Sequence, residues 1–118
     1  MRDDPISFLP LSPATLHILL SLAAGDRHGY GIMQEVARQS EGQYKLGPGT
    51  LYDNLQKLMN QGMVESAPPR SGDDDPRRRY YRLTPAGRSV LLAEIARLES
   101  VVREARMHLR LENPGGAA

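Results

Sequence analysis

The 118-residue chain has no cysteine, no tryptophan and a single phenylalanine. Without cysteine there are no disulfides, no thiolate metal sites and no cysteine nucleophile, a composition that fits a reducing cytoplasm. No apolar run reaches the ~18 residues that a membrane span needs; the longest, LHILLSLAA, is broken by His17 and Ser21. The acids Asp3 and Asp4 beside Arg2 do not suit a secretory signal, so a cytoplasmic location and no membrane partner are expected. Net charge is only +1, so bulk electrostatics do not announce a nucleic-acid partner. Catalytic patterns are missing too: there is no Ser-His-Asp arrangement, phosphate loop or HExxH pair. The three histidines fall on separate elements. His17 sits on the flank of a leucine-rich helix, His28 is placed to cap the next helix, and His108 lies near the chain's end. No enzyme activity, catalytic residue, cofactor or metal site is expected. The acids Asp73 to Asp75 lie in a turn-rich loop that offers a cation no ordered shell.

What is present is helical periodicity. Ser12-Pro13 is a helix start, with the serine as cap and the proline in the first turn; Leu16, Leu19, Leu20 and Ala23 follow at helical spacing, and Gly25-Asp26 stops them. A second helix is expected from about 29 to 40 on Ile32, Met33, Val36 and Ala37. A third, from about 48 to 61, places Leu51, Leu55, Leu58 and Met59 on one face and ends at Gly62. The period then changes. MVESA and RRYYRL read as two strands, joined by the turn-rich PPRSGDDDP. Thr84-Pro85 opens a last helix running to Glu112, roughly 42 Å at 1.5 Å per residue. Leu91, Ile95, Leu98, Val102, Ala105 and Leu109 alternate spacings of four and three along it, an a/d seam that predicts a homodimer. The expected division is an arm at 1–11, a DNA-binding unit at 12–83, a dimerisation helix at 84–112 and a disordered tail at 113–118.

The expected fold class is mostly α with a small β-hairpin. Three compact helices followed by a hairpin have the order of a winged helix-turn-helix, whose third helix enters the major groove of double-stranded DNA. The outward face of that helix carries Gly49, Thr50, Asp53, Gln56, Lys57 and Asn60, with Tyr52 and Asn54 on its flanks. It has small donors and acceptors and little charge. Gly49 allows close backbone approach, and the free first-turn amides can hold a phosphate. Thr50 suits a phosphate or a base edge, Asn54 and Gln56 suit adenine, and Lys57 suits guanine or phosphate. Arg70, Arg77, Arg78, Arg79 and Arg82 cluster on or beside the wing, with Tyr80 and Tyr81 interleaved. Of these, Arg77, Arg78 and Arg79 are the expected DNA contacts, while the acidic tip opposes them. The alternative is a winged-helix protein–protein adaptor without DNA binding, which the near-neutral charge favours.

HGYGI, GPGTLYDNLQKLMNQGMVE and RRRYYRLTPAG, in that order, resemble the PadR family of bacterial transcriptional regulators, and the resemblance spans about residues 12–112. It implies a homodimeric winged-helix repressor on a pseudo-palindromic operator, dimerised through its last helix and often aided by the N-terminal helix. It also implies release by a small apolar effector, for which Phe8 and Met107 are the weak candidates. By position, Thr50, Tyr52 and Arg77 to Arg79 match DNA-contacting residues of the family. Asp53 and Gly47 depart from it, where proline and serine are common, and the wing tip is longer and more acidic. Operator sequence and effector are not legible in the chain.

Overall fold

A computed structural model describes residues 4–70, 72, 75 and 77–110. A short 3-10 turn, Pro5–Phe8, precedes α1 (Pro13–Ala23), β1 (Arg27–His28), α2 (Gly29–Gln39), α3 (Pro48–Asn60), β2 (Val64–Ala67), β3 (Tyr80–Leu83) and α4 (Pro85–Leu109). The helix starts follow from local chemistry. Ser12 Oγ accepts from the Thr15 amide, His28 Nδ1 from Gly31 and Thr84 Oγ1 from Gly87, each satisfying a first-turn donor. Helix α3 is different: its cap residue, Gly47, offers no side-chain acceptor. Gly62, at φ 77°, turns the chain from α3 into β2.

The core is one cluster. Ile18 and Leu19 of α1, Ile32 and Val36 of α2, and Leu51, Leu55 and Leu58 of α3 are almost fully buried. Val64, Tyr81, Val90 and Leu91 close it from the sheet and α4. Helices α1 to α3 pack together, and the sheet and the first half of α4 rest on α1.

The structure departs from several expectations. The sheet has three antiparallel strands, ordered β1-β3-β2, where the sequence suggested a two-stranded hairpin. Arg27 and His28 pair with Tyr81 and Tyr80, which makes β3 the central strand. Tyr80 and Tyr81, on opposite faces of this central strand, are both buried, at 6% and 5% exposure. Tyr80 meets the His28 ring edge-on at 5.3 Å. β3 also starts only at Tyr80, so Arg78 and Arg79 precede it. Helix α4 runs 25 residues to Leu109, about 37 Å, with Arg110 in the left-handed region at φ 57° as its cap. The expected extension to Glu112 and the tail lie outside the described residues.

Leu91 leaves the predicted seam. It is 4% exposed and belongs to the chain's own core, because α4 is still packed on α1 at that point. Ile95 is partly buried against the same core. Leu98 is half-buried, and from there on the stripe opens: Val102, Ala105 and Leu109 are exposed, beside Val101.

Candidate nucleic-acid interface

The outward face of α3 emerges from its packing. Leu51, Leu55 and Leu58 point into the core, so Gly49, Thr50, Tyr52, Asp53, Gln56, Lys57 and Asn60 are left exposed. With Gly47 as cap, no side chain covers the first-turn amides. Nothing approaches the Gly49 Cβ position within 4 Å, so that corner is open to a close partner. Lys57 supplies the face's cation, in the last turn, and Lys45 is exposed just ahead of the helix. Gln56 Nε2 donates to Asn60 Oδ1 at 3.1 Å.

Asn54, expected from sequence to face adenine, is held by intrachain partners. It is half-buried. Its Nδ2 donates to the Thr50 carbonyl at 2.8 Å, and its Oδ1 accepts from Thr15 Oγ1 at 3.4 Å. Both ends of the amide therefore hold partners within the chain, which fixes the orientation of the side chain. Thr15 stands 39 positions away, so no spacing rule reveals the pair.

Tyr52 is exposed at 48% but not loose. Its ring lies against Gly29: a Cβ there would overlap the Tyr52 hydroxyl and sit 2.9 Å from Cζ. The glycine of HGY thus makes room for the tyrosine of GTLY, which links two motifs far apart in sequence. Tyr30, 60% exposed at the start of α2, was not singled out from sequence. Its signal is phase, since it falls off the stripe formed by Ile32 and Val36.

The wing arginines are largely engaged. Arg77 pairs with Asp75 at 3.3 Å, and Arg82 pairs with its cross-strand neighbour Glu65 at 2.9 Å. Arg70 donates to the Asp26 carbonyl at 2.8 Å. Arg79 reaches Ser66 Oγ at 3.4 Å and stands 5.9 Å over the Tyr81 ring. Burial pushes the Tyr81 hydroxyl's pKa up, and Arg79 opposes that shift. Arg78 is exposed. Surface pairs of this kind are worth ~0–1 kcal/mol, so a phosphate can displace the carboxylates. Asp73 and Asp74 lie outside the described residues.

The effector candidates are not brought together. Phe8 is partly buried against the core, whereas Met107 is 66% exposed near the far end of α4. An open groove of about 370 Å³ between the end of α1 and the start of α4 includes neither; Leu22, Asp26, Leu83 and Arg88 are among its walls. The histidines are each tied locally. His17 stacks on Tyr44 at 5.0 Å, His28 caps α2, and His108 meets Glu104 at 3.0 Å. Among the described residues, no three His, Asp or Glu side chains converge to hold a metal, and no helix is long and apolar enough to cross a membrane.

Comparison with known proteins agrees with this architecture. The chain is 39% identical over 89 residues to transcriptional regulator Rv3488 of Mycobacterium tuberculosis, covering 75% of this chain and 78% of that protein. A transcriptional regulator from Clostridium thermocellum superposes with a TM-score of 0.67 at 26% identity, over 80% of this chain and 87% of the other. A PadR family transcription regulator from Clostridium difficile gives 0.63 at 25% identity, over 86% and 100%. Bacillus subtilis PadR, solved in complex with operator DNA, shares the fold at 0.62 and 22% identity, over 73% of this chain and 48% of that one. The sequence profile of the transcriptional regulator PadR-like family matches residues 18–93. By sequence profile, relatives and winged-helix architecture together, the chain belongs to the transcriptional regulator PadR-like family.

Proposed function

We propose that the chain is a homodimeric, sequence-specific DNA-binding regulator that acts as a repressor. The supporting observation is α3. In a family of transcriptional regulators, it turns outward a face with uncovered first-turn amides, Thr50, Tyr52, Gln56 and Lys57. That face has the donors and acceptors that base edges and phosphates need. Arg77, Arg78 and Arg79 add the wing's phosphate contacts. Two copies pair through the exposed stretch of α4, from Leu98 through Val102 and Ala105 to Leu109. The paired α3 helices then address half-sites about one helical turn apart, roughly 34 Å. Bound at a promoter, the dimer excludes polymerase. A small apolar effector that re-angles the α4 helices changes the distance between the α3 helices and releases the DNA.

The second reading, an adaptor that docks on protein, draws on the carboxylates that occupy Arg77 and Arg82. One experiment separates the two. Duplexes are selected from a random pool by the purified protein, and binding is followed by mobility shift across a salt series. A repressor loses affinity as salt rises, by a log–log slope of about 0.9 per phosphate contact. Lys57→Ala and Arg78→Ala each flatten that slope. A protein that retains no duplex at low salt is not a DNA-binding repressor, and the adaptor reading then stands.

A further inference from the structure

The amide of Asn54 is one member of a longer run of hydrogen bonds. Thr15 Oγ1, which donates to Asn54 Oδ1, lies 3.1 Å from Ser12 Oγ, the cap of α1. Ser12 follows Leu11, and the Leu11 amide donates to Glu94 Oε2 at 3.1 Å across 83 positions of sequence. Glu94 belongs to α4, is 1% exposed, and is gripped by Arg97 through two hydrogen bonds, at 2.5 and 3.0 Å. The directions are consistent. The Thr50 carbonyl can only accept, so it must face the Asn54 NH₂, which leaves Oδ1 for the Thr15 hydroxyl. Each hydroxyl then donates once and accepts once. Arg97 and Glu94 lock the arm to α4, the arm leads into the α1 cap, and the cap reaches the first turn of α3.

We propose that Asn54 is a positioning residue. It ties the first turn of α3, with Gly49 and Thr50, to the start of α1 and so to the arm that Glu94 holds against α4. This rests on the DNA-binding reading. Its consequence is that α4, which carries the exposed apolar stripe, and α3, which carries the exposed polar face, are joined by side-chain bonds as well as by the shared core. A ligand or partner that shifts α4 pulls on the first turn of α3 through this chain.

The test uses the full chain and a duplex selected by the protein from a random pool. Thr15→Val removes the hydroxyl at constant shape, Thr15→Ser retains it, and Asn54→Ala removes the amide. Thr15→Val and Asn54→Ala are each expected to weaken binding by roughly three- to ten-fold, the range for one net hydrogen bond. The double variant is expected to be no weaker than the worse single one. Thr15→Ser restores affinity to within about two-fold on the same scale. The salt slope stays unchanged, because no phosphate contact is lost, and so does the preferred base at every position of the site. The α4 end is tested by combining Glu94→Gln with Asn54→Ala, whose effects on affinity are expected to be less than additive. If Glu94→Gln does not fold, Arg97→Lys replaces it in the cycle.

The assignment is overturned by any of the following results. Asn54→Ala relaxing the choice at one base pair, with Thr15→Val silent, makes Asn54 a base reader. Thr15→Val lowering only the melting temperature makes the chain structural alone. Additivity with the α4 variants removes the α4 link. Wild-type protein that binds no duplex refutes the DNA reading itself, whereas wild-type binding with Thr15→Val and Asn54→Ala both silent refutes only this inference.

Discussion

Gly87 sits where α4 passes closest to the start of β2, and replacing it with alanine isolates that approach. The added Cβ would overlap the Met63 carbonyl oxygen and lie 2.9 Å from Leu83 Cδ1. The nearer obstacle is backbone, so no rotamer change relieves it. The same carbonyl accepts the Thr84 amide at 3.1 Å, while Thr84 Oγ1 donates to the Gly62 carbonyl at 2.6 Å and accepts from the Gly87 amide at 3.0 Å. Moving α4 outward therefore strains a three-bond joint as well as the packing. Overpacking of this kind costs about 1–3 kcal/mol, and loss of one joint bond adds about 1 kcal/mol. The helix gains back about 0.5–1 kcal/mol because alanine is the better helix former. The net expectation is a loss of about 1–3.5 kcal/mol. At roughly 4 °C per kcal/mol for a chain of this size, the midpoint should fall by roughly 4–14 °C. Thermal unfolding followed by circular dichroism measures this, at one fixed protein concentration because oligomer midpoints depend on it. Gly49→Ala is the control: its Cβ meets nothing within 4 Å, so its midpoint should stay level or rise slightly. If Gly87→Ala melts at or above wild type, the close approach of α4 to Met63 is wrong, and so is the reason given for a glycine in TPAG.

The seam and the core on α4 should separate by mutation. Val102→Glu should yield a folded monomer by light scattering, whereas Leu91→Ala should lower stability by about 2–5 kcal/mol in denaturant titrations, since Leu91 is core; a Val102→Glu dimer would remove the seam. Glu94 should give stability an acid limb. Hydrogen bonds from Arg97 chiefly hold its carboxyl below the usual glutamate range, with the Leu11 amide and the Arg97 charge adding to the effect and burial opposing it. Because the folded pKa is lowered, this stabilisation is fully present above the unfolded value of ~4.3 and is lost as pH falls through the folded value. Urea midpoints from pH 7 to 3 should show that loss, and Glu94→Gln should flatten the limb; an equally steep limb in the variant would deny Glu94 the role.

The helix starts were legible because their causes are local. Ser12, His28 and Thr84 each stand three residues ahead of the amide they cap, and short-range chemistry of that kind survives in a string of letters. The core faces of α2 and α3 were legible for the same reason, since Ile32 with Val36, and Leu51 with Leu55 and Leu58, repeat at the period of a helix. Strand β1 was not legible. Two residues carry no periodicity, and Arg27 and His28 become a strand only because Tyr81 and Tyr80 arrive beside them. That arrival also buries both tyrosines, on opposite faces of β3.

Within the candidate interface the division runs the same way. The exposure of Gly49, Thr50, Gln56 and Lys57 follows from the angle each makes with the leucines of α3, and that angle is set by position in the chain. The partners of Asn54, Tyr52 and Leu91 do not follow from it. Thr15, Gly29 and the α1 side of the core reach them across dozens of residues, and only packing decides those meetings. Sequence alone determined the elements, their order and the polar character of the outward helix, because caps and periodicity act over one or two turns. Tertiary structure alone decided which polar side chains remain available to a partner, because that depends on what the rest of the chain has already engaged.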